Sequence, residues 1–163
     1  MGKRSNFKRV ERDFYPTPLK AAIPLIPHIK DVSTFVEPCA GDGSLIDILE
    51  DHGLSCTSAC DEVGGQCIIT NPPWDRKLLH KLIPLFTALR PTWLLFDADW
   101  LYTVQSAEFL PLLKKVVAVG RVKWIPDSAS QGKDNASWYF FNNRIKKDPE
   151  FVSFYGRVDL NNP

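Results

Sequence analysis

The sequence has no long hydrophobic run, and no stretch approaches the roughly 20 consecutive apolar residues of a membrane-spanning helix. The first twelve residues, MGKRSNFKRVER, are basic and contain no apolar core of the kind found in secretory signals. Neither positive nor negative charge is in clear excess, because 20 basic and 19 acidic residues leave a net charge of +1. These absences argue against secretion and membrane spanning, and they predict a cytoplasmic protein.

Cysteine and histidine are scarce, with 4 and 3 residues in a chain of 163. The candidate zinc ligands His52, Cys56, Cys60 and Cys67 lack a tight C-x2-C pair, so free core cysteines are the better interpretation and we predict no metal site. The sequence contains no G-x-S-x-G segment, and none of its histidines has an evident catalytic partner. This argues against a hydrolase with an activated nucleophile.

A length of 163 residues corresponds to one compact domain, and a hydrophobic content of 44% excludes wholesale disorder. We divide the chain into a basic arm over residues 1–12 and a single domain over residues 13–163. Such an arm suits contacts with phosphate groups, although it is equally compatible with a solvated tail.

Strand-like and helical patterns alternate along the domain, which is typical of an α/β fold. Strands are predicted at Thr34–Val36, Leu54–Cys60, Cys67–Thr70, Thr92–Phe96, Val116–Ile125, Ser137–Phe141 and Phe151–Val158. Helices are predicted at Leu45–His52, Asp75–Leu89 and Gln105–Lys115. The proline-rich segment before residue 30 allows only short helical turns.

The first candidate motif is Glu37-Pro38-Cys39-Ala40-Gly41-Asp42-Gly43, between a strand and a helix. Gly41 and Gly43 permit a tight turn and a close approach of a ligand to the backbone. Asp61, at the end of the next strand, is placed to accept hydrogen bonds from ribose hydroxyls, as in dinucleotide sites. A plain strand–turn–helix connection also favours glycine, so this motif alone is weak evidence.

The second motif, Asn71-Pro72-Pro73-Trp74, is far more specific. Two successive prolines remove two backbone donors and fix φ, which predicts a rigid elbow at the carboxyl end of a strand. Open α/β sheets bind ligands at such ends. The Asn71 amide and the Pro72 carbonyl are acceptors and Trp74 is a stacking surface, a combination that suits a planar heterocycle with an exocyclic amine.

The two motifs resemble motifs I and IV of class I S-adenosylmethionine-dependent amino-methyltransferases, specifically the N6-adenine DNA group. Residues 13–18, DFYPTP, resemble motif X of these enzymes, and the order X, I, IV matches one permuted subgroup. Residues 120–125 and 132–135, with Trp138, are similar to small phage and prophage methyltransferases. The resemblance covers most of the chain from Asp13 to Phe141. It implies a minimal Rossmann-like fold, with a mostly parallel twisted sheet, an antiparallel C-terminal strand and helices on both faces.

The resemblance implies transfer of a methyl group from S-adenosylmethionine to the N6 amine of adenine in DNA, with the base flipped onto the second motif. The implied catalytic residues are Asn71, Pro72, Pro73 and Trp74. The implied cofactor-binding residues are Tyr15, Thr17, Glu37, Pro38, Cys39, Ala40, Gly41, Gly43, Asp61 and Asn71. Within this set, Glu37 would hold the methionine amino group and Asp61 the ribose. Expression from a phage would place the enzyme in the host cytoplasm.

We expect no separate target-recognition domain after the second motif. The resemblance places a loop over residues 126–136 near the substrate, and the candidate nucleic-acid contacts are Lys123, Gln131, Lys133 and Asn135. A solvated hairpin loop explains the same residues equally well. Asp97 and Asp99 either contact substrate or cap the following segment, and we favour capping.

Residues 62–66 are too few for the helix and strand that family members have at this point. We therefore expect the adenine side of the cofactor pocket to be open, or to be covered by a second copy of the chain or a partner subunit. Two alternatives to DNA methylation stay open. One is methylation of RNA adenine or protein glutamine, and the other is a non-catalytic cofactor-binding subunit of the same fold.

Overall fold

The computed structural model describes residues 15–57, 65–125 and 132–153, and within them seven strands form a single sheet. The strands are β1 (Thr34–Val36), β2 (Ser55–Cys56), β3 (Cys67–Thr70), β4 (Thr92–Asp97), β5 (Leu113–Arg121), β6 (Asn135–Phe141) and β7 (Glu150–Val152). Their order across the sheet is β2-β1-β3-β4-β6-β5-β7. Strand β6 runs antiparallel to β4 and β5, and the other pairings are parallel.

Helices pack on both faces of this sheet, which confirms the predicted fold class. The helices are α1 (Leu19–Ala22), α2 (Ser44–Asp51) and α3 (Arg76–Leu89), with 3-10 helices at Ile23–His28, Ala98–Tyr102 and Val104–Phe109. The first helical segments are short, as the prolines before residue 30 predict. None of the helices in the described ranges is both long and apolar enough to cross a bilayer.

Two hydrophobic layers hold the helices against the sheet. On one face, Leu25 and Leu49 pack with Phe35 and Trp138. On the opposite face, α3 and the later 3-10 helices pack on residues of β3, β4 and β6, among them Phe96. Because both faces of β3 and β4 are covered, these strands are almost continuously apolar, which is why they are evident in the sequence.

The predicted helix Gln105–Lys115 is wrong. A 3-10 helix spans Val104–Phe109, and β5 already begins at Leu113. Pro111 interrupts the helical hydrogen-bond pattern, and the residues after it pair with β6 instead. Long-range strand pairing therefore outweighs the local helical periodicity.

The other predicted elements differ mainly at their ends. β2 is limited to Ser55–Cys56 and does not extend over Leu54–Cys60, whose last three residues lie outside the described part of the chain. β7 spans Glu150–Val152, and residues 154–158 of the predicted terminal strand are likewise outside it. The basic arm also falls outside the described residues, so the division of the chain into an arm and one domain stays a prediction.

Trp138 joins the sheet to α1. Its side chain is fully buried, and the indole N–H donates to the carbonyl oxygen of Ala21 at 2.8 Å. We expect Trp138→Phe to lower the free energy of unfolding by about 1–3 kcal/mol, because the substitution removes this donor and leaves a gap. Urea denaturation measures the effect. Tyr102→Phe, at a side chain that is 85% exposed, is the control and should change stability by less than about 0.5 kcal/mol.

Candidate active site at the carboxyl edge of the sheet

The sheet has a topological switch point at β1. The chain runs from β1 to β2 on one side and then returns to β3 on the other side of β1. Ligands of open α/β sheets bind at the carboxyl ends of the strands that flank such a point. Glu37 directly follows β1 and Asn71 directly follows β3, so both predicted motifs lie at this edge.

The loop after β1 turns tightly because two of its glycines have left-handed backbone conformations. Gly41 has φ 61° and Gly43 has φ 88°, values that side chains other than glycine rarely allow. The Gly43 N–H donates to the Ala40 carbonyl at 2.8 Å, and α2 begins at the next residue. The glycines are thus needed for the turn itself, as the sequence predicted.

Glu37 is a buried carboxylate at the start of this loop, and it is only 8% exposed. Its Oε1 accepts a hydrogen bond from the Cys39 N–H at 2.9 Å. Burial raises the pKa of Glu37 from 4.5 to about 7, although interactions with the Thr70 hydroxyl, the Cys39 N–H and the Asn71 backbone oppose the rise. The carboxylate forms no ion pair with any lysine or arginine of the described ranges.

Thr70, the last residue of β3, brings a second polar group beside Glu37. Its hydroxyl is fully buried and makes no well-formed hydrogen bond within the described residues, although it lies near enough to help stabilise the Glu37 carboxylate. A buried carboxylate without a countercharge, next to an unsatisfied hydroxyl, is a suitable environment for the ammonium group of a ligand.

Asn71 is held by hydrogen bonds on both ends of its side-chain amide. Its Nδ2 donates to the Thr17 hydroxyl at 3.1 Å, and its Oδ1 accepts from the Trp74 indole N–H at 3.2 Å. An indole nitrogen can only donate, so these contacts fix which end of the amide carries the oxygen. The oxygen retains a second lone pair for another donor.

Trp74 is half-buried and its plane is fixed by its neighbours. The indole N–H also donates to the Leu95 carbonyl at 3.1 Å, and the ring packs edge-on against Trp124 with centroids 5.3 Å apart. Pro72 is buried and Pro73 is half-buried. The side chain of Trp74 therefore supports Asn71 directly.

Some of the remaining predicted ligand contacts lie in the described part of the chain and others do not. Tyr15 is half-buried two residues before Thr17, Pro38 is exposed, and Cys39 and Ala40 are half-buried in the glycine loop. Asp61 and Gln131 lie outside the described ranges. The structure thus brings Thr17, Glu37, Cys39 and Asn71 to one edge and leaves the predicted ribose contact undescribed.

The predicted nucleic-acid contacts flank the same edge. Lys123 follows β5, and Lys133 lies two residues before β6. Asn135, predicted to be in the loop over residues 126–136, is the first residue of β6 and pairs with Arg121, so the loop ends earlier than predicted. Lys123, Lys133 and Asn135 are all exposed. Because Trp124 packs on Trp74, this strand end is in direct contact with the second motif.

Asp97 ends β4 at this edge and caps the next turn, as favoured from the sequence. Its Oδ1 accepts from the Asp99 N–H at 3.0 Å. Burial raises its pKa, and the nearby carboxylates of Asp99 and Asp134 add to the rise. Asp97 and Trp74 both line a small cavity of about 40 Å³.

Thr70 and Trp124 are site residues that sequence reasoning missed. Thr70 carried a signal, since it is the one hydroxyl in an otherwise apolar strand directly before Asn71. Trp124 belongs to the stretch 120–125 that carries the family resemblance, but its contact with Trp74 could not be predicted, because that contact depends on how β5 is placed in the sheet.

No known protein family and no curated protein matches the chain. Two solved structures are similar in shape. A chain of a type I R-M system, described in work on complex assembly and conformational transition, matches with a TM-score of 0.47 and 12% identity over 90% of this chain. This chain spans about half, 46%, of that chain's length. A Pyrococcus horikoshii protein provisionally assigned as an RNA methyltransferase matches with a TM-score of 0.45 and 16% identity, over 86% of this chain and 92% of that one.

Proposed function

We propose that this chain is an S-adenosylmethionine-dependent methyltransferase that acts on the N6 amine of adenine in DNA. The observation that carries the proposal is the fixed side-chain amide of Asn71, which Thr17 and Trp74 hold by hydrogen bonds. Asn71 directly follows the buried Thr70, and its backbone lies beside the buried carboxylate of Glu37. A rigid acceptor and an ammonium-binding carboxylate at one sheet edge are the two features that this reaction requires.

The residues present fit the cofactor. Glu37, with Thr70, would receive the methionine ammonium, and the glycine loop from Gly41 to Gly43 would lie along the cofactor. Tyr15 and Thr17 would close the methionine side. S-adenosylmethionine, when bound, supplies a methyl group on a positively charged sulfur.

The target amine needs help because its lone pair is delocalised into the adenine ring. The free lone pair of Asn71 Oδ1 and the carbonyl of Pro72 would accept the two N–H groups and favour the pyramidal amine that attacks in line. Preorganised acceptors and orientation would supply the catalysis. The sulfur would leave as the neutral thioether S-adenosylhomocysteine, and the methylated nitrogen would lose its extra proton to water after the transfer, so no general base is required. Trp74 would stack on the flipped base, where stacking offsets about 1–3 kcal/mol of the cost of extruding it.

The proposal is tested by incubating the protein with methyl-labelled S-adenosylmethionine and unmethylated DNA, followed by nucleoside analysis. We expect the label in N6-methyladenine. Label in RNA or in protein glutamine would instead favour the alternative substrates. Cofactor binding without transfer to any acceptor would favour a non-catalytic subunit. The same assay would then be repeated with candidate partner chains added, and transfer that appears only with a partner would show that the enzyme requires a second subunit.

We propose that Thr17 positions the side chain of Asn71, and two substitutions of Thr17, one without and one with a hydroxyl, test this role. We expect Thr17→Val to lower the rate of methyl transfer by about tenfold, because the Asn71 amide loses the acceptor that sets its orientation. Thr17→Ser keeps the hydroxyl and should restore most of the rate. Equal losses in both variants would show that the hydroxyl has no positioning effect.

A further inference from the structure

A second cavity lies at the opposite edge of the sheet, at the amino ends of β3, β4 and β5. Its volume is about 250 Å³, many times the roughly 10–15 Å³ that one water requires. Three of its lining residues, Trp93, Phe140 and Lys115, are neighbours across adjacent strands. Phe140 of β6 lies between the other two, paired with Trp93 of β4 and with Lys115 of β5. We call this cavity the amino-edge cavity.

The floor of the amino-edge cavity is aromatic. The rings of Trp93 and Phe140 stack with centroids 4.7 Å apart, and His28 lies at 6.3 Å from Trp93. Trp93 is buried, whereas Phe140 is half-buried. The ring of Phe140 therefore offers part of its surface to a planar ligand.

The wall of the cavity is cationic, because Lys114, Lys115 and Lys147 all line it. Lys114 is only 4% exposed, and its ammonium donates to the carbonyls of Pro111 at 2.7 Å and Lys147 at 3.4 Å. No carboxylate of the described ranges lies within 4.0 Å of it. A buried charge that meets only neutral acceptors is stabilised further when an anion approaches.

Glu150, at the start of β7, is the carboxylate that lies beside these positive charges. It is bonded to Lys115 with 3.1 Å between Nζ and Oε2. Its pKa is lowered, chiefly by the hydrogen bond and charge of Lys115 and further by Lys147 and His28. Lys115 therefore holds one exposed carboxylate beside the cavity, and Lys147 acts on it from farther away.

We propose that the amino-edge cavity binds a nucleoside monophosphate, with its phosphate near Lys114, Lys115 and Lys147 and its base against Phe140. A cationic wall beside an aromatic floor matches the two parts of such a ligand. The cavity and the Asn71 site occupy opposite edges of the sheet, so this site is independent of the proposed methyl transfer.

The test is an NMR titration of the full chain with adenosine monophosphate, adenosine and inorganic phosphate. S-adenosylhomocysteine is present throughout to occupy the carboxyl edge. We expect the monophosphate to shift the backbone amides of residues 114–115, 140 and 145–147, and to bind at least about tenfold more tightly than phosphate or adenosine alone. Shifts confined to residues 37–43 and 71–74, or none at about 10 mM, would overturn the proposal. Equal affinity for phosphate and monophosphate would also do so.

Three variants distinguish the cavity from general charge attraction. Lys147→Gln should weaken binding by about fivefold, and Glu150→Gln should strengthen it by about two- to fivefold, because the first removes a cation and the second an anion. Lys77→Gln, at an exposed lysine of α3, should leave the affinity unchanged. Equal effects of Lys77→Gln and Lys147→Gln would reject a specific site.

Discussion

Asn71→Ala is expected to lower the rate of methyl transfer by about a hundred- to a thousandfold. The alanine removes the side-chain acceptor, and removal of one preorganised hydrogen-bonding group from a site of this kind costs a factor of that size. The Pro72 carbonyl and the stacking surface of Trp74 stay in place, so some transfer should persist. The measurement is the single-turnover rate with a saturating concentration of DNA.

Asn143→Ala is the matched control, since Asn143 is exposed on the loop after β6. It should change the rate by less than about twofold. Because Asn71 also holds Thr17 and Trp74, folding of the Asn71 variant is checked by thermal unfolding and by binding of S-adenosylhomocysteine. A folded variant that keeps most of the wild-type rate would remove Asn71 from the mechanism.

The second large effect is a pH dependence of cofactor affinity that originates in Glu37. With a pKa of about 7, this carboxyl is mostly protonated at pH 6 and mostly ionised at pH 8. A ligand ammonium binds the ionised form, so the affinity for S-adenosylhomocysteine should rise by up to tenfold per pH unit below pH 7 and level off above it. Titrations at pH 5.5–7.5 stay below the pH at which the ammonium of a free amino-acid ligand loses its proton, so only the carboxyl titrates in this range.

Glu37→Gln should weaken binding and remove this pH dependence, because glutamine carries no titrating charge. Glu108→Gln, at an exposed carboxyl on the 3-10 helix after β4, should leave both the affinity and its slope unchanged. An unchanged slope in Glu37→Gln would assign the titration to another group.

The same carboxyl affects stability in the free protein, with the opposite trend. Its folded pKa lies above the unfolded value of 4.5, so the folded state holds more protons between about pH 4.5 and 7. The free energy of unfolding therefore falls as pH rises through this window, by on the order of 3 kcal/mol from this group. Glu37→Gln should flatten that part of the curve, which urea denaturation at pH 4.5 and pH 7.5 would measure.

Much of the fold can be predicted from the sequence, because the elements concerned are specified locally. β1, β3 and β4 are short apolar segments that end in polar or proline residues. α3 begins where expected because the Asp75 carboxylate caps it, accepting from the Leu78 N–H at 2.9 Å. The segment 105–115 is the exception, since its periodicity fits one helix, while its last residues, from Leu113 onward, pair with β6 as a strand.

The candidate site, like the fold, has parts that the sequence predicts and parts that depend on the tertiary structure. The sequence by itself determines the glycine turn at Gly41 and Gly43 and the proline elbow after Asn71, because both depend on backbone sterics within a few residues. Only the tertiary structure decides the orientation of Asn71, since Thr17 lies 54 residues earlier in the chain. It also decides the raised pKa of Glu37, because burial depends on every segment packed around a carboxyl.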